Sequence, residues 1–177
     1  MALTKLNYTG QGTIPIASIP TITGAKMPTG SVIQTVFHTW NDQASVTGSS
    51  YEDVDGSSFN FTPILATSTL IIQCTISSYV SRSATSMGSG YKVQVDGTDV
   101  QTYATNNYTD YFSTSGSTGT IIKSFTFVNK YNNTNTNAKA IKLVHNVFSA
   151  TTGSSALGRV NDGANFYSNF LVKEVKV

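Results

Sequence analysis

The stretch Thr69-Leu70-Ile71-Ile72-Gln73-Cys74-Thr75-Ile76-Ser77-Ser78-Tyr79-Val80 decides the fold. Leu70, Ile72, Cys74, Ile76 and Val80 fall on one side at even spacing, and Gln73, Thr75 and Ser77 fall on the other. A period of two is that of a β-strand with one face buried. Tyr91-Lys92-Val93-Gln94-Val95 repeats the alternation and stops at Asp96-Gly97. That dipeptide suits a type I′ turn, whose two central residues need positive φ, so a hairpin into residues 98–105 is expected. Residues 31–40, 59–61, 120–130, 139–148 and 165–177 are further runs rich in Val, Ile, Thr and aromatics. No 3.6-residue period persists over three turns and no internal repeat is visible. About eight short strands separated by Gly, Ser and Asn predict an all-β fold: a jelly-roll-like antiparallel β-sandwich with an extended N-terminal arm.

Composition agrees with that class. The chain has 177 residues with only 11% charged, 39% hydrophobic, nine Tyr and nine Phe. Glu, Lys, Arg and Ala are too scarce for a helical bundle or a coiled coil, and aromatics are too frequent for a disordered polyelectrolyte. The net charge is +2 and the 11 basic residues are scattered singly. No basic stripe forms, so nucleic acid is not an expected partner. The longest apolar runs, Leu70-Ile71-Ile72 and Phe170-Leu171-Val172, are too short to span a bilayer, and membrane insertion is not expected. Residues 1–7 lack the basic region and apolar stretch of a secretory leader. Cys74 is the single cysteine, which excludes an intrachain disulfide and points to synthesis in a reducing cytoplasm.

Residues 1–30 differ from the rest and read as an anchoring arm, with residues 31–177 as the head domain. Pro15, Pro20 and Pro28 remove backbone donors and bias their predecessors towards extended backbone. Ile14, Ile16, Ile19 and Ile22 have no regular element in which to bury themselves. Each such side chain gains roughly 1.5–3 kcal/mol on burial. The arm is therefore expected to lie against another surface, with Ile14, Pro15, Ile16, Ile19, Pro20 and Ile22 as the attachment residues.

Catalytic chemistry is poorly represented. His38 and His145 both fall inside predicted strands, and no G-x-S-x-G turn is present. Gly88-Ser89-Gly90 leads into a strand rather than a helix N-terminus, so it reads as a flexible turn and not a phosphate cradle. Glu52-Asp53-Val54-Asp55-Gly56 resembles a calcium loop only superficially, because the twelfth position is Ile64. It reads as a solvated acidic loop. Nothing in the spacing of the nine carboxylates marks a glycosidase pair. Cys74, among inward aliphatics, reads as a buried small hydrophobe. His145 reads as a core or interface residue, with a metal-binding histidine cluster on an oligomer axis as the sharper alternative. The expectation is a protein that is not an enzyme and carries no cofactor and no metal.

Two segments suit neutral surface recognition. Residues 103–112 place Tyr103, Tyr108, Tyr111 and Phe112 among Asn106, Asn107 and hydroxyls. Residues 131–137 place Tyr131 beside Asn133 and Asn135. Tyr and Asn offer contact area and adaptable hydrogen bonds at low entropy cost, so these are candidate receptor-facing loops for a glycan or a protein patch. A low-charge β-protein also builds ordinary loops from Asn and Thr.

The segment Gly24-Ala25-Lys26-Met27-Pro28-Thr29-Gly30-Ser31-Val32-Ile33-Gln34 resembles the arm-to-head junction of tailed-bacteriophage fibre and appendage proteins. Ser58-Phe59-Asn60-Phe61-Thr62-Pro63 and Ser68-Thr69-Leu70-Ile71-Ile72-Gln73 resemble that family's second and third strands. Residues 91–97 are similar to its central hairpin and residues 170–175 to its closing strand. The resemblance implies a homotrimeric jelly-roll-like head in the virion, with the arm docked on a larger tail, collar or capsid protein. This chain departs from the family in having almost no shaft. A short fibre that also contacts the host surface is the expectation, and a capsid decoration or cement protein without a receptor is the alternative.

Overall fold

The computed structural model describes residues 23–82, 86–100, 110–113, 119–149, 156–161 and 166–177. Twelve strands follow a short 3-10 turn at Gly24–Lys26. They are β1 (Val32–Trp40), β2 (Ala44–Val46), β3 (Glu52–Asp53), β4 (Phe59–Phe61), β5 (Ser68–Arg82) and β6 (Ser86–Val95). The rest are β7 (Thr98–Asp99), β8 (Asp110–Ser113), β9 (Gly119–Asn133), β10 (Lys139–Ser149), β11 (Ala156–Val160) and β12 (Ser168–Lys176).

All pairings between these strands are antiparallel, and they form two sheets. In the first, β12 lies between β1 and the first half of β5, β11 and β2 continue along the second half, and β9 lines the opposite edge of β5 throughout. In the second, β10 is flanked by β3 and β4 on one side and β6 on the other, with β7 and β8 beyond β6. The principal strands thus run β1-β12-β5-β9 and β4-β10-β6-β8. The chain crosses repeatedly between the two layers, which is the two-sheet jelly-roll arrangement. The all-β sandwich expected from the alternation is the fold.

The core lies between the layers. Leu70, Ile72, Cys74 and Ile76 of β5 meet Tyr91, Val93 and Val95 of β6 and Ile141 and Leu143 of β10. Each fully buried aliphatic or aromatic contributes about 1.5–3 kcal/mol. An aromatic group closes the β1 side: Trp40 and Phe59 pack on Phe170 with ring centroids 5.2 and 5.6 Å apart, and His38 stacks on Phe59 at 4.7 Å. The Asp96-Gly97 turn has φ of 51° and 78°, as a type I′ hairpin requires, with Val95 opposite Thr98.

Several expectations need correction. β5 and β9 are not short: they pair over 15 residues, about 50 Å of strand. Gly88-Ser89-Gly90 is not a turn but the buried middle of β6, paired with β10 and, at Gly88 and Ser89, with β8. The hairpin partner of β6 is two residues long, Thr98–Asp99, and residues 101–105 lie outside the described part. Residues 131–133 belong to β9 rather than to a loop.

Candidate functional site

Two surfaces merit description as sites: the root of the arm and the outer face of the first sheet. At the root, Lys176 on β12 holds the chain before β1. Its ammonium donates to the Ala25 and Met27 carbonyls at 2.6 Å each. The Lys176 backbone receives the Gly30 N–H at 2.8 Å and donates to Ser31 O at 3.0 Å. Gly30 takes φ of 86°, a conformation that disfavours any side chain, and this turns the strap into β1.

Two residues earlier on the same strand, Glu174 is wholly buried. It lies on the face of β12 that also carries Phe170 and Val172. Its carboxylate accepts from Gln34 Nε2 and the Ile64 N–H at 2.8 Å and from the Leu65 N–H at 2.9 Å. Burial alone pushes its pKa up, but these donors, with Ser68, outweigh it and hold the carboxyl below its ordinary value. Gln34 also donates to Thr62 O at 2.8 Å, and Asn133 Nδ2 donates to Leu65 O at 2.9 Å. β1, β12, the 62–65 loop and the end of β9 are thereby joined at the end of the sandwich against which residues 25–31 are held.

The outer face of the β1-β12-β5-β9 sheet points away from the core. Cross-strand register aligns Phe37, Leu171, Gln73 and Val128 in one row. Thr35, Lys173, Ile71 and Lys130 form the next, and Thr39, Asn169, Thr75 and Thr126 flank the other side. Phe37 and Val128 are 63% and 66% exposed, although both are strand hydrophobics. Further along, Arg159 lies over the Tyr79 ring at 5.2 Å, opposite exposed Ile122. The sole carboxylate on the six strands of this sheet is Glu174, which points inward. Among the described residues the face is a mixture of apolar, hydroxyl and amide side chains whose charges are cations.

The second sheet carries the opposite character. Lys92 pairs with Asp99 at 2.8 Å and sits over the Tyr51 ring at 4.2 Å, while Gln94 also donates to Asp99 at 2.8 Å. Burial and, secondarily, Asp99 push the Tyr51 hydroxyl up to about 12. Lys142 pairs with exposed Asp53 at 2.6 Å. Glu52 and Asp55 are exposed beside them, and His38 Nε2 lies 2.9 Å from Gly56 O, which ties this acidic edge to β1.

Several predicted residues are placed by the structure. Cys74 is buried, and burial pushes its thiol pKa far up. His145 is buried between the layers against Tyr91, so it does not reach a surface where symmetry-related histidines would gather. Burial lowers its pKa to about 4 against a smaller opposing effect of Asp55. Tyr131 and Asn133, expected on a receptor-facing loop, are strand residues: Tyr131 packs on the core and Asn133 is buried. Asn135 is in the following loop, where its Oδ1 accepts from Lys139 Nζ at 2.9 Å and from the Asn137 N–H at 3.0 Å. Tyr111 lies on β8. Tyr103, Asn106, Asn107 and Tyr108, and all of Ile14, Pro15, Ile16, Ile19, Pro20 and Ile22, lie outside the described residues. Among the described residues no group of three or more His, Cys, Asp or Glu is arranged to hold a metal.

Glu174, Gln34 and Lys176 were missed by sequence reasoning. The parity of residues 170, 172 and 174 was the available signal, since it puts a carboxylate on the core face.

No family model matches the sequence, and no curated protein matches it. A solved structure of infectious bursal disease virus, Gx strain, is similar at 17% identity over 82% of this chain, with a TM-score of 0.27. The match covers 37% of that viral chain. Strand order and register in the chain itself, and not this likeness, define the jelly roll.

Proposed function

We propose that the chain is a structural protein of a tailed-bacteriophage virion, a short non-enzymatic appendage. Its jelly-roll head associates as a homotrimer, and residues 1–30 attach it to a larger virion protein. The observation that carries this reading is the fastening of the arm root. Four hydrogen bonds between Lys176 and residues 25–31 tie the start of the arm to a central strand of the sandwich. A pull on the arm is thus delivered into the sheet rather than into a loose leader. The resemblance of residues 24–34 to fibre junctions and the low charge of the head support the same reading. Host contact in this reading falls to residues 103–112, since residues 131–133 are taken up by β9.

Deleting residues 2–23 is expected to abolish incorporation into particles while the purified head keeps its β-rich circular dichroism and melting temperature. Normal incorporation of the deleted form would refute the anchoring role. Particles that lose heat resistance but adsorb normally without the protein would favour a capsid decoration over a host-contacting fibre.

A further inference from the structure

We propose that the outer face of the β1-β12-β5-β9 sheet receives the acidic edge, residues 52–55, of a second copy of the chain. The inference rests on the homotrimer of the preceding reading for the number of copies, and it supplies the contact that reading lacks. Three observations lead to it. First, exposed Phe37 and Val128 and half-buried Leu171 lie in one row with Gln73 across the face, and large apolar side chains exposed together on strands mark contact surfaces. Second, β1 and β9 are the outer strands of the four-stranded part, and β1 carries neither a charge nor a proline to discourage pairing. Third, charge is segregated among the described residues: Lys130 and Lys173 stand on this face, where the strands' sole carboxylate, Glu174, points inward, whereas Glu52, Asp53 and Asp55 cluster on the edge beside β1.

The segregation selects the geometry. Two copies meeting by this same face around a two-fold axis would bring two lysine-bearing surfaces together and offer Lys130 and Lys173 no opposite charge. Edge-to-face contact instead puts Glu52 and Asp55 against the two lysines that flank the apolar row. Asp53 is already engaged by Lys142 within its own chain. Contact between two different patches is heterologous, and when its rotation closes it makes a ring. The four-stranded part spans about 14 Å between outer strand axes, and the β5-β9 ribbon extends it to about 50 Å on one side. The eight paired residues of β12 and β5 make the four-stranded part about 27 Å long, about 380 Å² in all, which is the scale of a small contact beside the roughly 800 Å² per partner of a standard interface.

The test uses the full chain in sedimentation velocity at several salt concentrations. Wild type is expected to sediment as an oligomer that salt weakens. K130E/K173E and, separately, E52K/D55K are each expected to weaken association about tenfold or more, and the chain carrying all four changes to regain it. A monomeric wild type, failure of the fourfold exchange to restore association, or stronger association of K130Q/K173Q would each overturn the proposal. The last of these is the signature of a two-fold contact. Carbodiimide coupling of a mixture of isotopically light and heavy wild-type chains gives a readout independent of variant folding. Interchain amide bonds from Lys130 or Lys173 to Glu52 or Asp55 are expected, and their absence from an oligomer would overturn the contact. A chain that associates as expected but loses no particle incorporation without residues 2–23 refutes the anchoring reading and leaves this contact standing.

Discussion

Glu174→Gln is the most informative single change, because it keeps shape and removes one charge. The carboxylate satisfies four donors: Oε2 takes Gln34 and the Ile64 N–H, Oε1 takes the Leu65 N–H, and the Ser68 hydroxyl, free to turn, is the fourth. A glutamine with its oxygen towards Gln34 and Ile64 keeps two of them as neutral bonds and sets its amide against the Leu65 N–H. An unsatisfied buried donor costs about 1–3 kcal/mol, and each charge-assisted bond made neutral loses about 0.5–1 kcal/mol more. The sum is about 3 kcal/mol, equivalent to roughly 6–12 °C in melting temperature for a chain of this size. The loss must depend on pH. The folded carboxyl titrates below its unfolded value, so its contribution is full above an unfolded pKa of about 4.3 and disappears as pH falls through the folded pKa. Chemical denaturation of both proteins at fixed chain concentration, from pH 7 down to pH 3, measures this. The gap between them should be widest at neutral pH and close on acidification. Equal stability at pH 7, or a gap that acid leaves unchanged, would refute the role given to this carboxylate.

His145 has the same sign with a different origin. Its folded pKa of about 4 lies below an unfolded value of about 6.5, so stability is full above pH 6.5 and is lost as pH falls towards 4. Neither ring nitrogen has a hydrogen-bond partner among the described residues. His145→Phe should therefore be neutral or stabilising at pH 7 and stabilising by about 2–3 kcal/mol at pH 4.5, as read by urea midpoints. Lys176→Met should free the arm root and speed tryptic cleavage after Lys26 severalfold, with little change in the melting of the head. Unchanged cleavage would remove Lys176 from the fastening. Cys74 should resist thiol reagents in the native protein and react at once in denaturant; rapid native labelling would contradict its burial.

Legibility in the sequence followed burial on one face. β5, β10 and the Asp96-Gly97 hairpin were readable because alternation and turn chemistry agree there, and local agreement of that kind leaves few alternatives. β9 beyond Lys130 was not. Tyr131-Asn132-Asn133 reads as a polar loop, yet Asn133 is buried because Leu65 O and Ser68 Oγ accept its amide. Gly88-Ser89-Gly90 was missed for the reverse reason: residues without bulk signal flexibility, while this strand is paired on both edges. β11 was overlooked because Gly158 and Arg159 interrupt its apolar pattern. Glu174 was hidden by its charge, since a carboxylate is rarely buried unless several donors converge on it. The outer-face row joins positions 37, 73, 128 and 171, whose adjacency only register reveals.

The place of β12 governs the order in which this molecule can be completed. Among the described residues β1 has a ladder with β12 alone, and β12 in turn bridges it to β5. Until residues 168–176 have emerged, β1 lacks its partner β12 and Lys176 is not there to hold residues 25–31. A nascent or shortened chain therefore carries β1 unpaired with β12 on a half-built sheet. Only a polypeptide synthesised through residue 176 closes this layer, so a chain cut short anywhere before Ser168 leaves the first sheet split.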